Sequence, residues 1–232
     1  MDHLRLQREG EYFGLAYKSK NGCDHYLDPN KCLYDQLPKT SHNQQKPALR
    51  FRVRFYPPDP QRLKEESARH WLYLQMRADM LSGSLGTVHP KNDQFNIISV
   101  LDATDEASAE LAAYAAQAEL GDYGSIKEDD YSQIKLLPRV MPNTWTDEVA
   151  NCHRQLVALS QQESEQRFLW RVRKLARYGE QRFRLQPTTT SGKEGEAVLS
   201  ARGIEIKQCS GGHGEQESQV YMGCNIVWVL HF

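Results

Sequence analysis

The chain has 232 residues, 39% hydrophobic and 25% charged, with a net charge of −1. That length allows one large domain or two to three small lobes, and the composition is ordinary for a soluble globular chain. The near-zero charge excludes a global field drawing the protein onto nucleic acid, and no apolar run approaches the ~20 residues of a membrane span, so any basic function rests on a local patch.

The first residues, MDHLRLQREGEY, lack the apolar core of a signal peptide, and a cytosolic compartment is the expectation. Five cysteines, Cys23, Cys32, Cys152, Cys209 and Cys224, form no CxxC pair, which fits reduced thiols rather than a disulfide framework.

In chain order, Asp2–Gln7 reads as the end of a helix. EYFGLAYK (Glu11–Lys18) has strand-forming aromatics, and Asn21–Gly22 signals a tight turn before a second strand in CDHYLD. Leu33 to Gln45 is polar and loop-like. In LRFRVRFY the residues Leu49, Phe51, Val53 and Phe55 share one face of a strand, and Arg50, Arg52 and Arg54 share the other. The arginine face is either solvated or a contact for an acidic lipid or partner.

Proline cannot donate to a ladder, so PPDP ends that strand, while Asp59 suits an N-cap and Pro60 a first helical position. Leu63, Ser67, Trp71, Leu74, Ala78 and Leu81 recur at helical spacing, with Gly83 as a stop. A second helix opens near Asp105 and runs to Gly121, its alanines leaving room for close neighbours. A third starts near Thr144 with Val149, Cys152, Leu156 and Leu159 on one stripe. A fourth carries Phe168, Val172 and Leu175 and stops at Gly179. Four such helices predict a small bundle.

After residue 180 the helical period is lost. RFRLQPTTT, EAVLSA and GIEIKQ read as short strands, CSGGHGEQES as a loop, and NIVWVLHF as a final apolar run.

EYFGLAY, LDPNK, LRFRVRFYPPDP, RHWLYLQMRADMLSGSL, LAAYAAQAELGDY, IKLLP and FLWRVRKLARYG occur in the order expected of a FERM domain. The chain resembles that module, found in band 4.1, ezrin and radixin, across residues 2–180, with a weaker likeness over 181–207. The LDP and PPDP wording is most similar to the band 4.1 and FERM-type tyrosine phosphatase branches.

The resemblance implies an α+β, multi-lobed fold. A partial ubiquitin-like lobe would cover 1–56, and an α-helical bundle like acyl-CoA-binding protein 57–180, with an insertion near 86–105. A partial pleckstrin-homology-like β lobe would begin at 181–208, followed by an atypical tail at 209–232. Both outer lobes look truncated, and a sheet edge left open there predicts weaker protection outside 57–180. The resemblance further implies a non-catalytic module at the cytoplasmic face of the plasma membrane, associated with the cytoskeleton. Its partners would be membrane-protein tails, cytoskeletal proteins and phosphoinositides. The alternative is the N-terminal targeting part of a FERM-containing tyrosine phosphatase.

No cofactor is implied, and no metal site stands out. Cys152 and His153 are adjacent on a predicted helix, where neighbours diverge by about 100°. Cys23, His25 and Cys32 lack an evident fourth ligand. Cys209–Glu215, CSGGHGE, places Glu215 where a phosphatase loop needs arginine, and a carboxylate there repels a phosphate dianion. SGKEGE lacks the spacing of a phosphate-binding loop. No Ser-His-Asp context such as GxSxG occurs. The candidate contacts for an acidic lipid or partner are Arg50, Arg52 and Arg54, and nucleic-acid binding through them is disfavoured because stacking aromatics are absent from that face.

Overall fold

A computed structural model describes residues 4–18, 24–38, 48–82, 87–88, 97–98, 106–125, 143–175, 177–185, 195–200, 203–208 and 218–221. The chain divides into two compact units, Met1–Gly14 with Arg52–Tyr178 and Leu15–Phe51 with Gly179–Phe232. Of Asp2–Gln7, expected as the end of a helix, Leu4 has 3-10 conformation and the chain turns directly after it, with Arg5 at φ 55.

Strands β1 (Phe13–Lys18), β2 (Asp24–Tyr26) and β3 (Leu49–Val53) form a sheet in the order β2-β1-β3. Tyr17 faces His25 across the antiparallel β1–β2 pair, and their rings stack with centroids 5.4 Å apart. The expected turn at Asn21–Gly22 lies outside the described residues. The stretch expected as loop contains one helical turn, α1 (Leu33–Gln36). The Gln36 amide explains it: Nε2 donates to the carbonyls of Asp28 and Lys31, both at 3.0 Å, and Oε1 accepts from the Asp28 amide at 2.7 Å.

β3 departs from simple alternation. Val53 is 1% exposed, but Leu49 is 38% exposed and Phe51 is half-buried. Only the end of the strand meets a core. The amides of Arg54 and Phe55 both donate to the Tyr12 carbonyl, which fixes that end and turns the chain away.

Asp59 does cap, but it caps a 3-10 turn (Pro60–Arg62), accepting from the Gln61 amide at 3.2 Å. Helix α2 (Glu66–Leu81) follows with Glu65 at its N-cap position. Its buried face is Ala68, Leu72, Tyr73, Met76 and Met80. That is about one position around from the stripe expected through Ser67, Trp71, Leu74 and Ala78. Leu74 and Ala78 are exposed. Hydropathy misleads here because the buried polar groups have partners. Tyr73 Oη and Arg77 Nε each donate to Glu119 Oε1 at 2.9 Å, and Gln75 Nε2 donates to Asp79 at 2.8 Å.

Within the region expected as an insertion, β4 (Thr87–Val88) and β5 (Ile97–Ile98) pair antiparallel. Helix α3 (Glu106–Leu120) is the thin helix anticipated. Ala109, Ala112, Ala113, Ala115 and Ala116 are all buried, so α4 (Asn143–Arg154) and α5 (Gln161–Val172) both pack closely against it. Helix α2 packs on α5, where the Tyr73 and Phe168 rings meet edge to face at 5.1 Å. Phe168, Leu169 and Val172 are fully buried, each contributing about 1.5–3 kcal/mol by removal from water. Helix α5 ends at Val172, before the expected stop at Gly179, and Leu175 is half-buried in the turn that follows.

Strands β6 (Gln181–Leu185), β7 (Gly195–Ser200), β8 (Gly203–Gln208) and β9 (Ser218–Tyr221) form an antiparallel meander. The first three match the expected strands. β9 adds a fourth in a stretch without a clear strand pattern. The run NIVWVLHF lies outside the described residues.

A polar network at the end of α3 joins it to α4 and to the link into α5. Gly121, at φ +80, takes the left-handed conformation that stops the helix, with nothing near its absent Cβ, so the requirement is conformational. Its carbonyl and Gln117 Oε1 both lie 2.9 Å from His153 Nε2. Two acceptors there require the ring to carry its proton on Nε2. Gln117 Nε2 donates to Asp122 Oδ1 at 2.8 Å and to the Leu159 carbonyl at 2.9 Å, and the Ala158 amide donates to Asp122. Burial holds the His153 pKa below its ordinary 6.5, partly opposed by Gly121 and Asp122.

Two outcomes follow. In urea unfolding, Leu72→Ala costs about 2–5 kcal/mol, whereas Leu74→Ala costs less than ~1 kcal/mol; equal costs would move the core to the other face. The unfolded chain protonates its His153 more readily than the folded one. The neutral ring's contribution is therefore whole above pH 6.5 and is lost as pH falls toward the depressed folded value. Thermal melts between pH 5 and 8 should show that slope, and His153→Gln should flatten it.

Candidate binding surfaces

The N-terminal segment is fastened to the entry of α2 by two carboxylates that cap each other's strands of backbone. Glu65 accepts from the amides of Gln7 at 3.0 Å and Arg8 at 2.8 Å. Glu9 accepts from the amides of Lys64 at 2.7 Å and Glu65 at 2.8 Å. Amides that would otherwise face water or a void thus meet charge-assisted acceptors. The Arg8 and Gln7 amides, in that order, hold the Glu65 carboxyl below its usual 4.5. Ser67 Oγ donates to the Arg5 carbonyl at 2.6 Å, and Trp71 Nε1 to the Leu4 carbonyl at 3.4 Å.

The start of α5 closes the other side. Ser160 and Glu163 form a reciprocal capping box. Gln162 donates to Glu66, and His70 Nδ1 lies 2.9 Å from Glu165 Oε1. Between these elements runs a cleft of about 860 Å³, lined by Leu4, Arg5, Glu66, His70, Trp71 and Gln162 among others. Its polar groups are largely engaged with one another. The cleft thus offers shape and an indole wall.

A smaller pocket of about 240 Å³ lies between the 3-10 turn and α5, walled by Pro60, Leu63, Leu169 and Trp170, with Arg69 and Gln166 at its polar side. Arg173 packs 3.4 Å over the Trp170 ring and pairs with Asp59 at 3.4 Å, which holds the indole in place.

The three arginines have different environments. Arg50 and Arg54 are exposed, and Arg54 stacks 5.0 Å over the Phe55 ring. Arg52 is half-buried and paired with Asp79 at 3.3 Å, so it belongs to the packing around α2 rather than to a solvated face. His153 is fully buried in the network described above, with the half-buried Cys152 beside it on α4. His25 stacks on Tyr17, Cys32 is exposed, and Cys23 lies outside the described residues, as do 209–215 and 191–194. Among the described residues, no three His, Cys, Asp or Glu side chains are grouped to hold a metal, and no helix is long and apolar enough to cross a membrane.

The groups that shape the surfaces were not singled out by sequence. Glu9 and Glu65 are 56 residues apart, and nothing local pairs them. The Ser160-x-x-Glu163 box did carry a readable signal.

Residues 96–183 match the FERM central domain. The chain is 31% identical over 180 residues to human Band 4.1-like protein 3, covering 77% of this chain and 14% of that protein. It is 35% identical over 183 residues to human Tyrosine-protein phosphatase non-receptor type 4, covering 76% of this chain and 17% of that protein. The chain thus spans less than a fifth of the length of these relatives. Among solved structures, the FERM and C-terminal domain complex of Drosophila Merlin aligns with a TM-score of 0.65 at 22% identity, over 88% of this chain and 65% of that one. At that identity the likeness speaks for the fold alone.

Glu65→Ala removes two acceptors at once. Amide exchange at Gln7 and Arg8 should accelerate, while exchange in α3 stays as it was. Unchanged exchange at those two amides would remove the clasp from the account.

Proposed function

Because the chain carries a FERM domain of the band 4.1 kind, we propose that it is a non-catalytic binding module linking membrane-protein tails or phosphoinositides to the cortical cytoskeleton. The observation that carries this reading is 31–36% identity to band 4.1 proteins and their FERM-containing relatives, maintained over about three quarters of the chain. In this reading, 1–56 is a ubiquitin-like first lobe, 57–180 the helical second lobe, and the strands from 181 the start of a pleckstrin-homology-like third lobe. The protein works at the cytoplasmic face of the plasma membrane as a peripheral component.

Arg50 and Arg54 supply the acidic-lipid or acidic-partner contact. Both are exposed, whereas Arg52 is committed to Asp79. Their contribution is electrostatic and therefore screened by salt.

A second reading is supported by the 35% identity to Tyrosine-protein phosphatase non-receptor type 4. Here the chain is the targeting part of a larger enzyme. Reading transcripts past Phe232 separates the two: a phosphatase domain there supports the second, and a stop in every transcript ends it.

The first reading is tested by cosedimentation with vesicles containing phosphatidylinositol bisphosphate. Binding should weaken as salt rises. The double substitution Arg50→Glu, Arg54→Glu should lower it by at least about thirtyfold, since each arginine near the surface contributes about 1 kcal/mol. Binding that ignores both salt and the two substitutions would remove these arginines from the contact.

A further inference from the structure

Tyr34 differs from the other tyrosines whose side chains are described. It is 80% exposed, and its hydroxyl meets no partner among the described residues. The others are half-buried or buried. Several have their hydroxyls committed: Tyr73 donates to Glu119, Tyr114 to Glu110 and Tyr178 to the Pro57 carbonyl.

The outward placement is built. Gln36 holds the preceding loop through bonds to both backbone groups of Asp28 and to the Lys31 carbonyl. Asp28 in turn accepts from the Asn30 amide at 3.0 Å and pairs with Lys31 at 3.3 Å. On this support α1 carries Leu33 and Tyr34 outward, 47% and 80% exposed. The helical turn is only four residues long, and both flanking residues, Cys32 and Leu37, are already extended. A single turn closes few backbone hydrogen bonds of its own, and Tyr34 already stands outside the Gln36 network, where an enzyme's substrate groove reaches it.

We propose that Tyr34 is a phosphoryl acceptor for a tyrosine kinase using a nucleoside triphosphate. The phenol oxygen attacks the γ-phosphorus. A tyrosyl O–P bond forms, the bond from that phosphorus to the β–γ bridging oxygen breaks, and the nucleoside diphosphate leaves. The phenol proton passes to the kinase's catalytic carboxylate. The product carries about −1.5 to −2 extra charge at neutral pH. Asp35 adjoins it in sequence, and the nearby cation Lys31 is already paired with Asp28. The phosphate is therefore left outward, available to a domain that reads phosphotyrosine through clustered arginines.

The test is a time course of the full chain with a cytoplasmic tyrosine kinase of broad specificity and Mg-ATP, mapped by peptide mass spectrometry. Tyr34 should be labelled at least about tenfold ahead of the other tyrosines whose side chains are described, since those buried or half-buried sites must first open. Tyr34→Phe should remove most of the early incorporation. Labelling of another tyrosine first, or an unchanged rate in Tyr34→Phe, overturns the proposal. Nitration with tetranitromethane reads exposure without a kinase. Tyr34 nitrated first yet not phosphorylated excludes it as an acceptor, and slow nitration of Tyr34 removes the exposure on which the proposal stands.

Discussion

The helical unit depends on the alanine face of α3. Its buried alanines let two helices reach its backbone closely, and a larger residue at Ala112 or Ala116 would push one of them away. Close approach then imposes a second condition. Polar groups trapped near α3 must find partners on the neighbours, because an unpaired one costs about 1–3 kcal/mol. Gln117 meets this toward α4 and the link into α5, and Glu119 meets it toward α2. Thin helix and buried amide are two halves of one packing solution.

That solution fixes where the surfaces fall. Tyr73 and Phe168 set α2 against α5, which places the start of both helices side by side. The Glu9 and Glu65 carboxylates then draw the N-terminal segment onto the entry of α2 and complete the larger cleft. On another side of α5, Trp170 is held by Arg173 and walls the smaller pocket. The larger hollow is polar and lies beside the Trp71 indole, and the smaller one is walled by Pro60, Leu63, Leu169 and Trp170.

The helices of this unit were legible in the sequence for identifiable reasons. The alanine run reads as a thin helix reaching to Gly121, and the structure has that helix, with Gly121 in the left-handed conformation at its end. The prolines at 57, 58 and 60 read as the end of a strand, and β3 does end before them. What hydropathy could not see was pairing. Tyr73, Gln75 and Arg77 look like an outer face until Glu119 and Asp79 are brought to them, so the buried side of α2 was misassigned. Arg52 looked equivalent to Arg50 and Arg54 for the same reason. Gln36 shows the reverse: a polar stretch that reads as loop becomes ordered when one amide meets several backbone groups at once. The clasp between Glu9 and Glu65 joins residues distant in sequence, and local pattern carries no trace of it.

The functional claim rests on sequence kinship over about three quarters of the chain and on a fold shared with FERM structures. Its most direct test is calorimetric titration of the folded chain with synthetic juxtamembrane tails of single-pass membrane proteins. The account predicts saturable, one-to-one binding to at least one such tail by a chain that unfolds cooperatively. A cooperatively folded chain that binds none of them would contradict it.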